Sequence, residues 1–465
     1  MKTSIFNRIV LVFALIVLTC CKKQDDWLSA KTNKSDVAPE TFADFQALFD
    51  NTLEMNGRSF VTTGLPGSDN IYVPDEALGE ISEQEQNIYL WNPKIWVDQT
   101  SVEWNYGYQS IEFANLVLEG LQKLPQNDPQ YNNMKGQAYF YRAMALYNLA
   151  QIFCRPYVAS TAGTDAGLPL RESADVNVII RQRSSLQQTY DKILSDLQNA
   201  LALLPPDQPY IQRPTATAVL GYLSKVYLTM EDYPNAGIYA SKALEKRSAL
   251  LNFNSPLISR TSTYPFPFNG VGNPEIIFYA FNASYSCTTP EAFGSSTGVI
   301  SPELYTLYED NDLRKSTFYV PRNGIIRLIG TYTGTFKNFC GLGTNELYLI
   351  KAEFLARNGK AGEAMDLVNT LLRNRYKAGT YQDKVENDPE KALQMVLIER
   401  RKELPFTGSL RWEDLRRLNH DTRFQKILTK TSKGKSYTLL PNDKKYVFPI
   451  PENEIALSGI AQNER

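Results

Sequence analysis

The chain has 465 residues, 43% of them hydrophobic, and its 49 basic and 50 acidic residues give a formal net charge of −1. This length allows one large domain or two to three ordinary domains, with a sizeable core in either case. The near-zero net charge argues against a nucleic-acid binder, which needs a basic face to meet the phosphates. We therefore expect no nucleic-acid partner.

The first 20 residues have the organisation of a lipoprotein signal peptide. Lys2 and Arg8 precede an uncharged apolar run at residues 9–18, which is shorter than the roughly 20 residues of a membrane span. Small residues stand before Cys21, whereas acceptance of lipid at Cys20 would place a leucine where the peptidase prefers a small residue. We predict cleavage after residue 20, lipidation at Cys21, and no other membrane anchor; a secretory signal with incidental cysteines is the alternative.

Few residues in the remaining chain could bind a metal. Cys154, Cys287 and Cys340 form no close pair, and their odd number means that they cannot all be bridged within one chain. Together with the single histidine, His420, they cannot supply the usual zinc ligand sets. We expect no metal and no cofactor, and a fold that packing holds together.

Apolar residues recur at helical spacing over most of the chain. The predicted helices span residues 41–53, 101–121, 134–153, 184–204, 215–230, 233–244, 345–357, 361–375, 389–404 and 411–418. The pair at 215–244 and the pair at 345–375 resemble tetratricopeptide hairpins. A single amphipathic hairpin cannot bury its apolar stripe alone, so stacked hairpins share a core. The sequence predicts a mainly α scaffold of helical hairpins.

Two stretches lack the helical pattern. Residues 57–100 are rich in Gly, Pro, Asn and Asp, and residues 246–340 contain many prolines with strand-like runs at 275–281 and 324–332. An irregular segment as long as the second is usually functional, so we expect it to be partly β and to contact ligand. Prolines at 446–451 predict an extended tail, because they exclude a central strand or a helix.

Charged residues of alternating sign crowd the last two predicted helices. They are Glu399, Arg400, Arg401, Glu403, Asp414 and Arg416. We predict that they pair across a hairpin and fix its packing, and that they are not catalytic.

Five groups of residues, in this order, carry a family resemblance. They are Trp104 with Tyr108, Ile111 and Asn115; Tyr308 with Asp310, Asp312 and Arg314; residues 347–375; residues 398–404 with 411–417; and residues 448–455 with 462–463. With the lipoprotein start, they resemble the SusD/RagB family of surface nutrient-binding lipoproteins of Bacteroidetes. The resemblance implies a non-catalytic protein, lipid-anchored in the outer membrane and exposed at the cell surface. It also implies delivery of glycan or other oligomeric nutrients to a SusC-like TonB-dependent transporter.

The resemblance and the pattern together divide the chain into five parts. We predict a signal peptide at 1–20, a lipidated tether at 21–39 and an N-terminal SusD-like region with tetratricopeptide-like hairpins at 40–245. A loop-rich insertion at 246–340 would form the ligand face. A C-terminal SusD/RagB-like helical region with the extended tail would complete the chain at 341–465.

Aromatic side chains in the loop-rich stretches are the candidate ligand-binding residues. Sugars present apolar faces that stack on aromatic rings and hydroxyls that need polar partners. We predict such surface aromatics at Tyr72, Trp91 and Trp96, and at Tyr285 in the insertion. Ordinary core packing is the alternative for each.

Two other functions stay open. Residues 294–298 match the Gly-Xaa-Ser-Xaa-Gly pattern of serine hydrolases, but no apolar strand precedes them and a triad would have to use His420, so we favour a flexible loop. A glycoside hydrolase with two carboxylates is less favoured, although distances in space cannot be read from a sequence. A tetratricopeptide-like adaptor that binds a protein and no glycan would need no exposed aromatic platform.

Overall fold

A computed structural model describes residues 39–282, 285–291 and 297–465. Lipidation at Cys21, the signal peptide and the tether up to residue 38 therefore lie outside the described residues, as do Ser295 and Ser296 of the hydrolase-like pattern. The described residues from Gln46 onward form one compact unit. Within the described ranges, no helix combines the length and apolarity needed to cross a bilayer.

Helices make up most of the regular structure, as the sequence predicts. They are α1 Phe42–Phe49, a π-helix at Leu53–Arg58, α2 Gly64–Gly67, α3 Glu83–Tyr89, α4 Val102–Leu121, α5 Pro129–Phe153, α6 Leu186–Leu203, α7 Ala216–Thr229, α8 Tyr233–Lys246, α9 Pro302–Tyr305, α10 Arg314–Phe318, α11 Thr344–Arg357, α12 Ala361–Leu372, α13 Pro389–Glu403, α14 Leu410–Leu418 and α15 Glu452–Ser458. The strands are short. They are β1 Ile71–Tyr72, β2 Ile276–Phe278, β3 Phe281–Asn282, β4 Val299–Ile300, β5 Tyr319–Arg322, β6 Ile325–Leu328, β7 Asn338–Phe339, β8 Leu342–Gly343, β9 Leu428–Ser432 and β10 Lys435–Leu439.

Side-chain caps set the helix starts. The Oγ of Ser101 accepts a hydrogen bond from the N–H of Trp104, which begins α4. Ser185 and Gln188 form a capping box at the start of α6. Asp128 caps α5 and Pro129 occupies its first turn, so α5 begins ahead of the predicted residue 134.

Two helical hairpins form the predicted tetratricopeptide-like scaffold. Helices α7 and α8 pack against each other, α11 packs against α12, and α8 also packs against α11. Gly237 on α8 lies so close to α11 that an added Cβ would stand 2.3 Å from Cδ1 of Phe354. The absence of a side chain at Gly237 thus lets the two hairpins approach and share a core.

The loop-rich segment adds paired strands and an aromatic core. In the described residues, each strand has one antiparallel partner, in the pairs β1–β4, β2–β8, β3–β7, β5–β6 and β9–β10. Phe253, Phe266 and Phe318 pack ring against ring, and Tyr332 and Phe339 continue this cluster. The prediction of a partly β segment is confirmed, since β2 and β6 fall on the strand-like runs.

The structure also tests the predictions for the cysteines, the C-terminal tail and the charged residues of α13 and α14. Cys154, Cys287 and Cys340 are unbridged and buried. Residues 447–451 have neither helix nor strand, but the prediction of a terminal extended tail is incomplete because α15 follows them. Five residues of the charged set, Glu399, Arg400, Arg401, Glu403 and Asp414, form ion pairs, so the scaffold prediction is confirmed for them. Arg400 and Asp414 pair across the α13–α14 hairpin as predicted, whereas Glu399, Arg401 and Glu403 pair with residues elsewhere in the chain. Arg416 is the exception, because no carboxylate of the described residues lies within ion-pair distance of it.

Candidate functional site

Three of the four predicted ligand-binding aromatics are buried, so the prediction of their surface position is wrong. Trp96 and Tyr285 have exposed fractions of 3% and 2%. The Trp96 indole donates to the carbonyl of Pro449 at 2.6 Å, and the Tyr285 hydroxyl donates to the Glu103 carboxylate. Burial raises the pKa of Tyr285 well above its ordinary value, and Glu103 adds to this effect. Both rings serve the core because their polar atoms find internal partners.

Tyr72 is the predicted aromatic that faces outward, with 40% of its surface exposed. It lies on β1, where successive side chains point to opposite faces, so that Ile71 is buried and Tyr72 is exposed. Strand β4 pairs with β1 in the antiparallel direction. The ring lines a groove of about 560 Å³. Three segments form this groove, at residues 68–76, 301–303 and 426–431.

A network of ion pairs borders the groove beside Tyr72. Asp69 accepts hydrogen bonds from Arg411 at 2.7 and 2.8 Å and from Lys426 at 2.7 Å. Burial disfavours ionisation of Asp69, but Arg411, Arg401 and Lys426 hold its pKa well below the ordinary value. Glu303 pairs with Arg401 at 2.6 Å and with Lys426 at 2.5 Å. Its side chain is nevertheless 55% exposed, so it stays accessible to a ligand.

A buried lysine forms part of the floor of the groove. Lys430 donates to the carbonyl of Pro66 at 2.6 Å, and its ammonium lies 3.7 Å from the centre of the Tyr89 ring and 5.0 Å from that of Trp91. Burial lowers the pKa of Lys430 to about 7. Trp91 itself is 3% exposed and donates to the carbonyl of Gly67, so it supports the floor from the interior.

Strand β9 supplies one wall that the sequence analysis missed. It forms a hairpin with β10 in which Lys433 and Gly434 both have positive φ, as this two-residue turn requires. The backbone N–H of Lys433 donates to Asp75 across the groove region at 2.8 Å. Thr429 and Thr431 on β9 line the groove and are exposed. Alternating residues around a Lys-Gly pair were the available signal for this hairpin.

A second groove, of about 650 Å³, is more apolar. Helix α4 forms one side with Val102 and Tyr106, and α15 contributes Leu457. The segment between α5 and α6 adds Val176 and Ile179. Val176 and Leu457 are 68% and 71% exposed. Clustered exposed apolar side chains of this kind mark interaction surfaces.

The helical hairpins and short paired strands define a mainly helical class of protein with a groove beside Tyr72, and sequence comparisons give the family. A family model described as "Starch-binding associating with outer membrane" matches residues 26–228. A second, described as "SusD family", matches residues 278–464. The chain belongs to the SusD/RagB family. This membership supports a carbohydrate-binding protein associated with the outer membrane.

Individual relatives are distant in sequence and similar in fold. SusD-like protein P38 of Formosa agariphila is 23% identical over 68% of this chain and 72% of that protein. SusD-like protein P2 of the same organism is 26% identical over 43% of this chain and 39% of that protein. A SusD superfamily protein from Bacteroides thetaiotaomicron superposes with a TM-score of 0.72 at 20% identity, covering 91% of this chain and all of that one. A SusD-like carbohydrate binding protein from Bacteroides vulgatus gives a TM-score of 0.69 at 18% identity, with 90% and 97% covered.

Proposed function

We propose that the chain is a surface-exposed lipoprotein, anchored through Cys21, that binds glycan in the Tyr72 groove and passes it to a SusC-like TonB-dependent transporter. The observation that carries the binding site is the outward-facing ring of Tyr72 in a groove with polar walls. A sugar ring stacks on such an aromatic face through its C–H groups. Peptide or another oligomeric nutrient is the alternative ligand.

The polar groups around Tyr72 suit sugar hydroxyls. Glu303 and Asp75 can accept hydrogen bonds from hydroxyls, Lys426 can donate to them, and the hydroxyl groups of Thr429 and Thr431 can do both. The ion pairs hold Glu303 and Lys426 in place before a ligand arrives. Such preorganisation reduces the entropy that binding loses.

The same electrostatics speak against glycoside hydrolysis at this groove. A glycosidase needs one carboxylic acid that stays protonated near neutral pH, and therefore has a raised pKa. In Asp69 and Glu303, cationic neighbours outweigh burial and lower the pKa of each carboxyl. Incubation of the purified chain with each glycan it binds should release no new reducing ends, and turnover would overturn the proposal of a binding protein.

Affinity electrophoresis in gels that contain single polysaccharides tests the binding site. We expect at least one polysaccharide to retard the wild-type chain, and Tyr72→Ala to remove most of that retardation. Tyr210→Ala is the matched control, since Tyr210 is 60% exposed but does not line the groove. Retardation that Tyr72→Ala leaves unchanged would place the glycan elsewhere.

The apolar groove along α4 supports the proposed protein partner. We place the transporter contact there because exposed apolar side chains gain most from burial against another protein. Leu457→Asp should reduce co-purification with the outer-membrane transporter and leave polysaccharide retardation unchanged. If no glycan retards the wild-type chain while this protein contact persists, the chain acts as an adaptor lipoprotein instead.

A further inference from the structure

Arg416 differs from the other buried arginines of the described chain. Seven arginines are buried there, and six of them have a carboxylate within 4.0 Å. The six are Arg142, Arg314, Arg375, Arg400, Arg401 and Arg417. Burial of a charge is costly unless a counter-charge and hydrogen bonds compensate it. Arg416 alone in this set lacks the counter-charge.

The guanidinium of Arg416 has hydrogen-bond donors that no described residue accepts from. Its Nη2 donates to the carbonyl of Cys154 at 2.5 Å, whereas Nε and Nη1 have no partner among the described residues. Burial lowers the pKa of Arg416, while ion pairs raise that of the buried Arg314 and Arg417. Glu413 also acts on Arg416 electrostatically, but it lies 3.7 Å from Lys225 and accepts a hydrogen bond from Tyr147.

Arg416 lines a cavity of about 310 Å³. Three carboxylates also line it, and each already has a cation of its own. Asp165 lies 3.4 Å from Arg155, Asp443 lies 3.5 Å from Lys445, and Glu464 lies 2.7 Å from Lys444. The unbalanced charge at the cavity is therefore that of Arg416.

Other donors and cations surround the same space. Asn419 and Tyr446 also line the cavity and are buried; Nδ2 of Asn419 and the hydroxyl of Tyr446 interact with each other and have no other hydrogen-bond partner in the described chain. Arg155 and Lys444 also line it, and their side chains are about half exposed, at 52% and 56%. The buried donors can hold an anion, and the exposed cations can attract one from solvent.

We propose that this cavity binds an oxyanion, either a carboxylate such as that of a uronate or a sulfate group, with Arg416 as its main contact. A guanidinium presents paired N–H donors that match two oxygens of such a group. The cavity shares no lining residue with the Tyr72 groove, so the proposal does not depend on glycan binding there.

Isothermal titration of the full-length chain in detergent, at constant ionic strength, tests the proposal. Sodium glucuronate and sodium sulfate are the anionic probes, and glucose is the neutral one. We expect saturable binding of at least one anion and none of glucose, with about tenfold or greater loss of affinity in Arg416→Met. Arg373→Met is the matched control, because Arg373 is exposed, pairs with Asp383 and does not line the cavity.

The probe that binds identifies the source of the oxyanion. Glucuronate alone indicates an acidic sugar, and sulfate alone indicates a sulfate group. Equal binding of glucose, no binding of either anion, or full affinity in Arg416→Met would overturn the proposal. If Arg416→Met does not fold, the wild-type chain is crystallised with the anion that binds in the titration, either glucuronate or selenate in place of sulfate. Density for that anion beside Arg416 supports the site, and its absence there contradicts the site.

Discussion

Two clusters of charged side chains show how burial separates scaffold from site. The Arg375 cluster, formed by Glu275, Arg375 and Glu403, is fully buried, with ion pairs of 2.6 and 2.7 Å. The groove cluster, formed by Asp69, Glu303, Arg401 and Lys426 beside Tyr72, has equally short pairs. In the groove cluster, however, Glu303 remains exposed. The same residue types therefore fix the core in one place and leave groups free for a ligand in the other.

The largest expected effect comes from breaking the Arg375 cluster. Arg375→Met leaves the buried Glu275 without its cation and leaves Glu403 with Arg314 alone, and we expect it to lower the free energy of unfolding by about 3 to 5 kcal/mol. Guanidinium unfolding followed by circular dichroism measures this loss. Arg373→Met removes an exposed ion pair with Asp383 and should have little measurable effect on the free energy of unfolding. Equal losses in the two variants would mean that breaking the buried Arg375 cluster costs no more than breaking an exposed ion pair.

Lys430 should give a pH-dependent effect of intermediate size. Its pKa is about 7 in the fold and 10.5 in its ordinary state, so the unfolded chain binds more protons between these pH values. The free-energy cost of burying the charged Lys430 is largest below pH 7 and decreases as the pH rises, by at most about 1.4 kcal/mol per pH unit. Stability of the wild-type chain relative to Lys430→Met should therefore increase from pH 7 to pH 9.

Urea unfolding of both chains at pH 7, 8 and 9 measures that difference. Lys435→Met on the neighbouring strand is the control, because Lys435 is exposed and should not change the pH slope. If the free energy of unfolding changes with pH in the same way for the wild-type chain and Lys430→Met, burial of the Lys430 charge does not destabilise the fold.

The smallest expected effect on stability is in the groove cluster. Lys426→Met removes contacts to Asp69 and Glu303, but Arg401 and Arg411 still pair with them, so we expect a loss of about 1 kcal/mol or less. Polysaccharide affinity should fall severalfold, because a donor to sugar hydroxyls is lost. Denaturant unfolding and affinity electrophoresis of one preparation separate the two effects. A large stability loss with unchanged affinity would make this cluster scaffold as well.

The sequence predicts the helices far better than the site. Helix α4 could be predicted because its apolar residues keep a helical period over many turns and Ser101 caps it. Burial of individual aromatics has no such local signal. Trp96 and Tyr285 are buried by partners far along the chain, Pro449 and Glu103, which no local pattern reveals.

The groove was only partly predictable for the same reason. Tyr72 could be singled out, but the walls of the groove come from segments that lie more than a hundred residues apart in the chain, including strand β9. Likewise, the unpaired state of Arg416 depends on its neighbours in space, and the sequence around Arg416 does not reveal them. Long-range pairing of this kind is fixed by tertiary packing.

A crystal structure of the chain with a polysaccharide fragment that retards it in gels tests the binding site most directly. The proposed site predicts a sugar ring stacked on Tyr72 at van der Waals distance, with hydroxyls hydrogen-bonded to Glu303 or Lys426. A fragment bound away from the Tyr72 groove would contradict it.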